Sequence, residues 1–449
     1  MQRENLREIL IVGAPFETYG GGMKRLAKLI PEYIRNGIKV NLIIPTGDIC
    51  EFLYNRGDNL DFAYNSVLES LNKIRSMGAV FANETYDIVR RVSNHLKIVR
   101  IILGPSDSLI SFLDQNMQMF LNRERYIYDR FKINRTFQIV YCVGGLYSRV
   151  LSFKIAKFTK KPFVILFQIH PFVGSDVTEY KVKEDGQPLS RRILFSFLLP
   201  KLRNIVSIVQ FKRYANSNLL KCILSVSEEP IMMTKLDSLI GERVDFKILT
   251  PANSTDLTQQ KVVKENGSII FFGRLISAKG LLELPQIVAK INFPAKKLVI
   301  CGNFYSEYEK RTFFESARKL NVKVEYKGFL NETDLYKAIQ SAKIFLNPTH
   351  ADGFSLAILE SVFCRTIAVT YDIPAIRSVF SNMGSVRMVN EGNVEDAAVE
   401  AEKILKLTSE QYKFQYLSGD TLKFMDLHRS WRNVFESEVN ILNEYVDHY

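Results

Sequence analysis

The chain has 449 residues, 47% of them hydrophobic and 24% charged, with a formal net charge of +12. That length exceeds one typical core and predicts two domains of ordinary globular composition. The basic excess points to an anionic partner; no nucleic-acid-binding motif is present, so no nucleic acid is expected.

No apolar run approaches the roughly 20 residues that a membrane span needs. The N-terminus passes directly into an apolar strand, without a signal-peptide core. Cys50, Cys142, Cys222, Cys301 and Cys364 are scattered, with no disulfide or metal-ligand spacing. A reducing, cytoplasmic setting is expected.

In chain order, Ile9-Leu10-Ile11-Val12 reads as a parallel strand buried on both faces, and Gly13-Ala14-Pro15 ends it. The glycines Gly20-Gly21-Gly22 precede a helical pattern of Leu26, Leu29, Ile30, Tyr33 and Ile34, and a second strand runs from Val40 to Ile44. This is a βαβ unit whose glycine turn lets a backbone approach a ligand near a helix N-terminus; a simple tight turn is the alternative. Three adjacent glycines do not have the Gly-x-Gly-x-x-Gly spacing of a dinucleotide site. A strand over 98–103 and a helix over 106–131 are expected. Strands over 137–143 and 162–169 follow, the latter ended by His170-Pro171. A His at the carboxyl end of a parallel strand lies on the ligand-facing edge of an open sheet, although a lone His is commonly structural.

Ser190 to Arg213 carries Arg191, Arg192, Lys201, Arg203, Lys212 and Arg213, no acid, and interleaved apolar residues. It reads either as a surface for an anionic membrane or lipid-phosphate acceptor, or as a core helix pair with a solvated basic face. The strand over 223–227 is expected to be the last of the first domain. Alternation restarts with a strand at Ser268–Phe272, a helix over 281–291, strands over 297–301 and 322–326, and helices over 307–320 and 333–341.

The stretch KIFLNPTHADGFSLAILESVFCRT, residues 343–366, organises this half. An apolar strand ends at Asn347-Pro348, a polar loop carries Asp352, and Ser355 is the expected N-cap of a helix containing Glu360. Asp352 and Glu360 would reach different depths of one crevice, as a polyol-rich ligand requires; a solvated loop and an ordinary surface Glu are the alternative. Upstream, Arg274 and Lys279 flank the end of a strand, where two cations and helix N–H groups would clamp a diphosphate. A strand over 367–370, a helix over 394–407 and a helical tail from 409 complete the reading.

Pro348-Thr349, Asp352-Gly353-Phe354-Ser355 and Glu360 resemble the donor-site signature of retaining GT-B glycosyltransferases of family 4 (glycosyl transferases group 1). Phe272-Gly273-Arg274-Leu275 with Lys279-Gly280 resembles that family's Gly-Arg-Leu-x-x-x-Lys-Gly pattern, and Gly21-Gly22-Met23-Lys24-Arg25 its Gly-Gly-x-x-Arg turn. Two positions depart: Asp352 replaces the usual Glu, and the usual Gly after the helix is replaced around Cys364-Arg365. The resemblance implies an α/β GT-B fold, two Rossmann-like domains facing across a cleft. Its parts would be an acceptor domain (1–250), a nucleotide-sugar domain (251–425) and a C-terminal helix (426–449) crossing back to the first domain.

The implied reaction moves a sugar from a nucleoside-diphosphate sugar to a hydroxyl of a glycan or lipid-linked glycan, with retention. No Asp-x-Asp occurs, so no metal and no cofactor are expected. By resemblance, Arg274 and Lys279 hold the diphosphate, Glu360 the ribose and Asp352 a sugar hydroxyl. His170 faces the donor sugar. Backbone N–H groups near Gly353, Phe354, Ser355 and Leu356 hold phosphate or sugar, and Gly328 and Phe329 lie near the base. Gly273 belongs to the same donor site, and Gly21 and Gly22 lie across the cleft, on the acceptor or phosphate side. An epimerase, an inverting transferase or a non-catalytic relative is the alternative. Peripheral association with the inner face of a membrane is the expected location if the basic stretch binds lipid.

Overall fold

The computed structural model describes residues 5–16, 21–45, 49, 60–81, 85–87, 89–90, 93, 136–172, 199–232, 234–257, 264–304 and 307–446. Two six-stranded, all-parallel sheets form the framework. The first contains β1 (Glu8–Val12), β2 (Lys39–Ile43), β3 (Ile139–Cys142), β4 (Phe163–Phe167), β5 (Leu220–Ser225) and β6 (Asp245–Ile248), in the order β2-β1-β3-β4-β5-β6. Its helices include α1 (Gly21–Arg35), α2 (Leu60–Ser76), α3 (Leu146–Thr159) and α4 (Leu199–Asn216).

The second sheet contains β7 (Ser268–Phe272), β8 (Lys297–Cys301), β9 (Val324–Gly328), β10 (Ile344–Asn347), β11 (Ile367–Tyr371) and β12 (Val386–Val389), in the order β12-β11-β10-β7-β8-β9. Helices α5 (Leu284–Lys290), α6 (Glu307–Lys319), α7 (Glu332–Ser341), α8 (Leu356–Phe363), α9 (Pro374–Phe380) and α10 (Val394–Lys406) alternate with these strands. The tail adds α11 (Ser409–Leu417), α12 (Thr421–Leu427) and α13 (Trp431–Leu442).

The central strands are continuous apolar runs because both faces are covered: Phe163–Phe167 and Ser268–Phe272 are buried at every residue. Two edge strands escape the sequence reading. β6 (DFKI) and β12 (VRMV) mix polar with apolar residues and are only partly buried, so neither shows an apolar run. The first sheet therefore ends at β6, not at the 223–227 strand. The expected helix over 281–291 starts later, at Leu284, because Gly280 takes φ +73° and Pro285 occupies the first turn of α5. The strand and helix expected over 98–103 and 106–131 lie outside the described residues.

The strand order reverses between β1 and β3 in one sheet and between β7 and β10 in the other. In an open parallel sheet a ligand crevice forms beyond the carboxyl ends at such a switch point. The loops there are those after β1 and β3, and those carrying residues 273–280 and 348–355. The tail closes the assembly: α11 packs on the second sheet, with Tyr412 OH donating to the Lys343 carbonyl at 2.7 Å. α13 then returns to the first, where Phe435 meets Tyr33 edge-on at 5.1 Å and Glu438 pairs with Arg25. Both members of that ion pair are almost fully buried; Arg25 Nε also donates to the Ala252 carbonyl at 2.7 Å, and Tyr33 OH donates to Glu438 at 2.6 Å.

Candidate active site

The turn after β7 is built on two glycines with positive φ, Gly273 (+129°) and Gly280 (+73°). Gly280 also lacks room for a side chain, since a Cβ there would lie 2.0 Å from the Pro348 carbonyl oxygen. The turn is thereby pressed onto the loop after β10. His350 N–H donates to the Ala278 carbonyl at 3.1 Å, and Lys279 Nζ donates to the Ala351 carbonyl at 2.7 Å and to Asp352 Oδ2 at 2.9 Å. Glu309 of α6 braces the same turn from behind, accepting from Ser277 N–H at 2.7 Å and Ser277 Oγ at 2.9 Å. Residues 277–279 form a single 3₁₀ turn, so Arg274 precedes and Lys279 ends a tight turn, and neither sits at the start of helix α5.

Burial pulls the Lys279 pKa below the usual lysine range; the Arg274 guanidinium pushes it the same way, and Asp352 opposes both. Two cations crowd one edge with one carboxylate between them and the loop. An anion entering there would relieve the Lys279 ammonium. Arg274 itself is exposed.

Asp352 is held from two sides: Oδ2 by Lys279, and Oδ1 by the Gly353 N–H at 3.0 Å. The shorter side chain reaches Lys279. His350, two residues earlier, bridges Glu283 and Glu391 at 2.7 Å each. Burial alone would depress its pKa, but the two carboxylates more than offset this and raise it. Ser355 is the N-cap of α8, accepting from Ile358 N–H at 3.4 Å. The Phe354 ring turns away from the cleft and packs on Phe380 and His428, so only its backbone is placed for a ligand.

The loop also meets the first domain. A Cβ on Gly353 would lie 2.0 Å from the Gln168 carbonyl oxygen, and Ser227 Oγ donates to the Gly353 carbonyl at 2.6 Å. Gly22, near the start of α1, lies against the Gln168 side chain. Gln168 leads to His170, which is half-buried with Nδ1 3.0 Å from the Phe172 carbonyl oxygen. Glu360 is buried on α8 and accepts from Lys24 Nζ of α1 at 3.0 Å; the same ammonium lies 3.0 Å from Glu332. Burial alone would depress the Lys24 pKa, but Glu360, then Tyr336 and Glu332, more than offset this and raise it.

Residues 254–416 match the family model of glycosyl transferases group 1. Over 199 residues the chain is 27% identical to the GDP-mannose:cellobiosyl-diphosphopolyprenol alpha-mannosyltransferase of Xanthomonas oryzae, covering 38% of this chain and 51% of that one. One component of the human phosphatidylinositol N-acetylglucosaminyltransferase is 24% identical over 49% of this chain and 45% of its own. Poly(glycerol-phosphate) alpha-glucosyltransferase of Bacillus subtilis is 24% identical over 51% of this chain and 33% of its own. The chain thus spans about half, or less, of the length of these curated relatives. Among solved structures, Anabaena HepE in complex with UDP and glucose superposes with a TM-score of 0.63 at 12% identity, covering 98% of this chain and 100% of that one. Sucrose-phosphate synthase from Thermosynechococcus elongatus gives 0.62 at 12% identity over 98% of both.

The fold is GT-B.

In this GT-B frame, the residues singled out in the sequence fall into two groups. Gly273, Arg274, Lys279, Asp352, Gly353, Ser355, Leu356 and Glu360 gather around the switch point of the second sheet, while Gly21, Gly22 and His170 line the facing edge of the first. Gly328 and Phe329 lie farther out, at the carboxyl end of the edge strand β9; Gly328 is its last residue, with φ +66°, and Phe329 is half exposed. Lys24 and Glu332, which engage or neighbour Glu360, were not singled out. Lys24 lies in the first turn of α1, two residues after Gly22, so its position on α1 was the available signal. Arg365, at the end of α8 in place of the usual glycine, takes φ +56°, the left-handed conformation that a glycine would supply. Among the described residues no group of three or more His, Cys, Asp or Glu is placed to hold a metal ion, and no helix is long and apolar enough to cross a membrane.

Proposed function

We propose that the chain is a glycosyltransferase that moves a sugar from a nucleoside-diphosphate sugar to a hydroxyl of a phosphate-bearing glycan or lipid-linked glycan, with retention and without a metal. The observation that carries this reading is the pairing of Arg274 with Lys279 at the switch point, on a turn tied to the Asp352 loop. As the glycosidic bond breaks, negative charge develops on the leaving diphosphate. Cations already fixed there stabilise that charge more than the ground state, without reorganising.

In this reading Glu360 accepts from the ribose hydroxyls and Asp352, steadied by Lys279, accepts from a sugar hydroxyl. Backbone N–H groups of Gly353, Ser355 and Leu356 add donors at the start of α8. His170 approaches the sugar from the first domain. The base lies toward Gly328 and Phe329. The phosphate-bearing acceptor is supported by the +12 charge and by the names of the relatives, which include a diphosphopolyprenol, a phosphatidylinositol and a poly(glycerol-phosphate).

The test is a donor screen that measures which nucleotide is released, followed by Arg274→Ala and Lys279→Ala on the best donor. Each substitution is expected to lower turnover by a factor of ~10²–10³, the scale for removing one fixed transition-state donor. Wild-type rates in either variant contradict the clamp. NMR of the product reads the anomeric configuration, and inversion removes the retaining assignment. Turnover that collapses in EDTA removes the metal-independent one.

A further inference from the structure

Away from the cleft, α3 and α4 pack side by side on one face of the first sheet. On α4, Ser207, Phe211, Tyr214 and Ala215 point inward at helical spacing and are buried. The opposite stripe is also apolar: Ile205 and Val209 are each 60% exposed and Val206 is 41% exposed, and Lys212 and Arg213 continue it. On α3, Phe158 is 56% exposed beside the exposed Lys154 and Lys157. A groove of about 610 Å³ between the helices brings Lys157, Val209, Lys212 and Arg213 to one lining. Neither helix contains a single acid.

A solvated helix face would carry mixed charges, and a buried one would carry no lysines. Lys157 and Arg213 sit in the last turns of their helices, where a cation offsets the helix dipole. That accounts for two cations, but not for the four large apolar side chains beside them. Exposed apolar residues beside Lys157, Lys212 and Arg213, on two helices that contribute no acid, match one environment: the headgroup layer of an anionic bilayer, where the apolar groups enter and the cations meet phosphate.

We propose that the α3–α4 face docks this protein on an anionic lipid surface. Docking there is independent of the transferase chemistry, since none of these residues belongs to the cleft.

The experiment is co-sedimentation of the full chain with phosphatidylcholine vesicles, with and without 30% phosphatidylglycerol, at low and high salt. Binding is expected only with phosphatidylglycerol, and it should weaken as salt rises. Lys212→Gln with Arg213→Gln should lower the partition coefficient roughly 25-fold, about fivefold per cation near such a surface. Ile205→Ser with Val209→Ser should lower it at least tenfold. Both double variants should keep the wild-type thermal midpoint and, in solution, the wild-type rate of nucleotide release. In Val209→Trp, a blue-shifted emission on phosphatidylglycerol vesicles gives a second readout, because Trp431 is buried in the core. Equal binding to neutral vesicles, no binding at low salt, or variants that bind like wild type overturns the proposal. So does a dimer in light scattering that the Ile205→Ser, Val209→Ser variant dissolves, since the face would then be a self-interface. If the donor screen finds no turnover while vesicle binding behaves as expected, the transferase reading fails and this one stands.

Discussion

Replacing Lys24 by Met tests whether the cleft is held by charge. The ammonium lies 3.0 Å from Glu360 and 3.0 Å from Glu332, so the two carboxylate oxygens are at most about 6 Å apart. Without the cation they repel. At 6 Å that repulsion is about 3 kcal/mol for an effective dielectric of 20 and about 0.7 kcal/mol for bulk water. Side-chain exposure is 11% for Glu360 but 50% for Glu332, which puts the cost toward the screened end, about 1–2 kcal/mol. Both carboxylates belong to the second domain and the cation to the first, so closure is what brings the ammonium in to relieve this repulsion, and Lys24→Met removes that relief from the closed arrangement. Lys24→Met should therefore shift the open-to-closed ratio roughly 5- to 30-fold. Small-angle scattering should show a larger radius of gyration, and calorimetry a nucleotide affinity weaker by a similar factor. Adding Glu332→Gln should recover neither, because the repelling pair lies within one domain and its removal changes both arrangements alike. Unchanged scattering and affinity in Lys24→Met would refute the reasoning. Tighter nucleotide binding would refute it differently, by showing that Lys24 competes with the ligand for Glu360.

Three further outcomes are expected. Glu438→Leu leaves Arg25 buried without its counter-ion and Tyr33 OH without its acceptor; urea unfolding should show a loss of about 3–5 kcal/mol, and Arg25→Met in the same chain should restore most of it. Burial lowers the His428 pKa from the usual 6.5 to about 4, so the folded protein holds this ring neutral while the unfolded chain protonates it. Its contribution to stability is therefore present above pH 6.5 and is lost as pH falls, by roughly 3 kcal/mol at pH 4; denaturant midpoints at pH 7, 5 and 4 should fall more steeply in wild type than in His428→Gln. Arg365→Gly should gain up to about 1 kcal/mol in the same assay by relieving the left-handed backbone, and a net loss would show that the arginine side chain outweighs the strain.

Much of the framework was legible because burial on both faces writes continuous apolar runs: EILIV, FVILF, SIIFF, KLVIC and IAVTY all became strands. The Ser355 cap was legible because capping is local, a hydroxyl reaching an N–H three residues on. The edge strands β6 and β12 were not, because half-exposed edges carry the same polar mix as loops. The start of α5 was misplaced because Leu281 and Leu282 continue the helical spacing, while the left-handed Gly280 and Pro285 delay the helix itself.

The candidate site divides along the same line. Gly273, Arg274 and Lys279 are at most six residues apart, and Asp352 follows a recognisable strand end, so local pattern brought them forward. The contacts that join the domains have no local signature. Lys24 and Glu360 are 336 residues apart, Arg25 and Glu438 413, and Ser227 and Gly353 126. None shares a helical or strand period with its partner. Gly353 shows why this matters: its φ is not positive, so the backbone conformation does not require glycine there. What requires it is the Gln168 carbonyl of the other domain, where a Cβ would lie 2.0 Å away. A glycine that reads as loop flexibility in the sequence is a close-packing residue between domains. The placement of the turn carrying Arg274 and Lys279 against the facing edge of the first sheet rests on that contact as much as on the charged side chains.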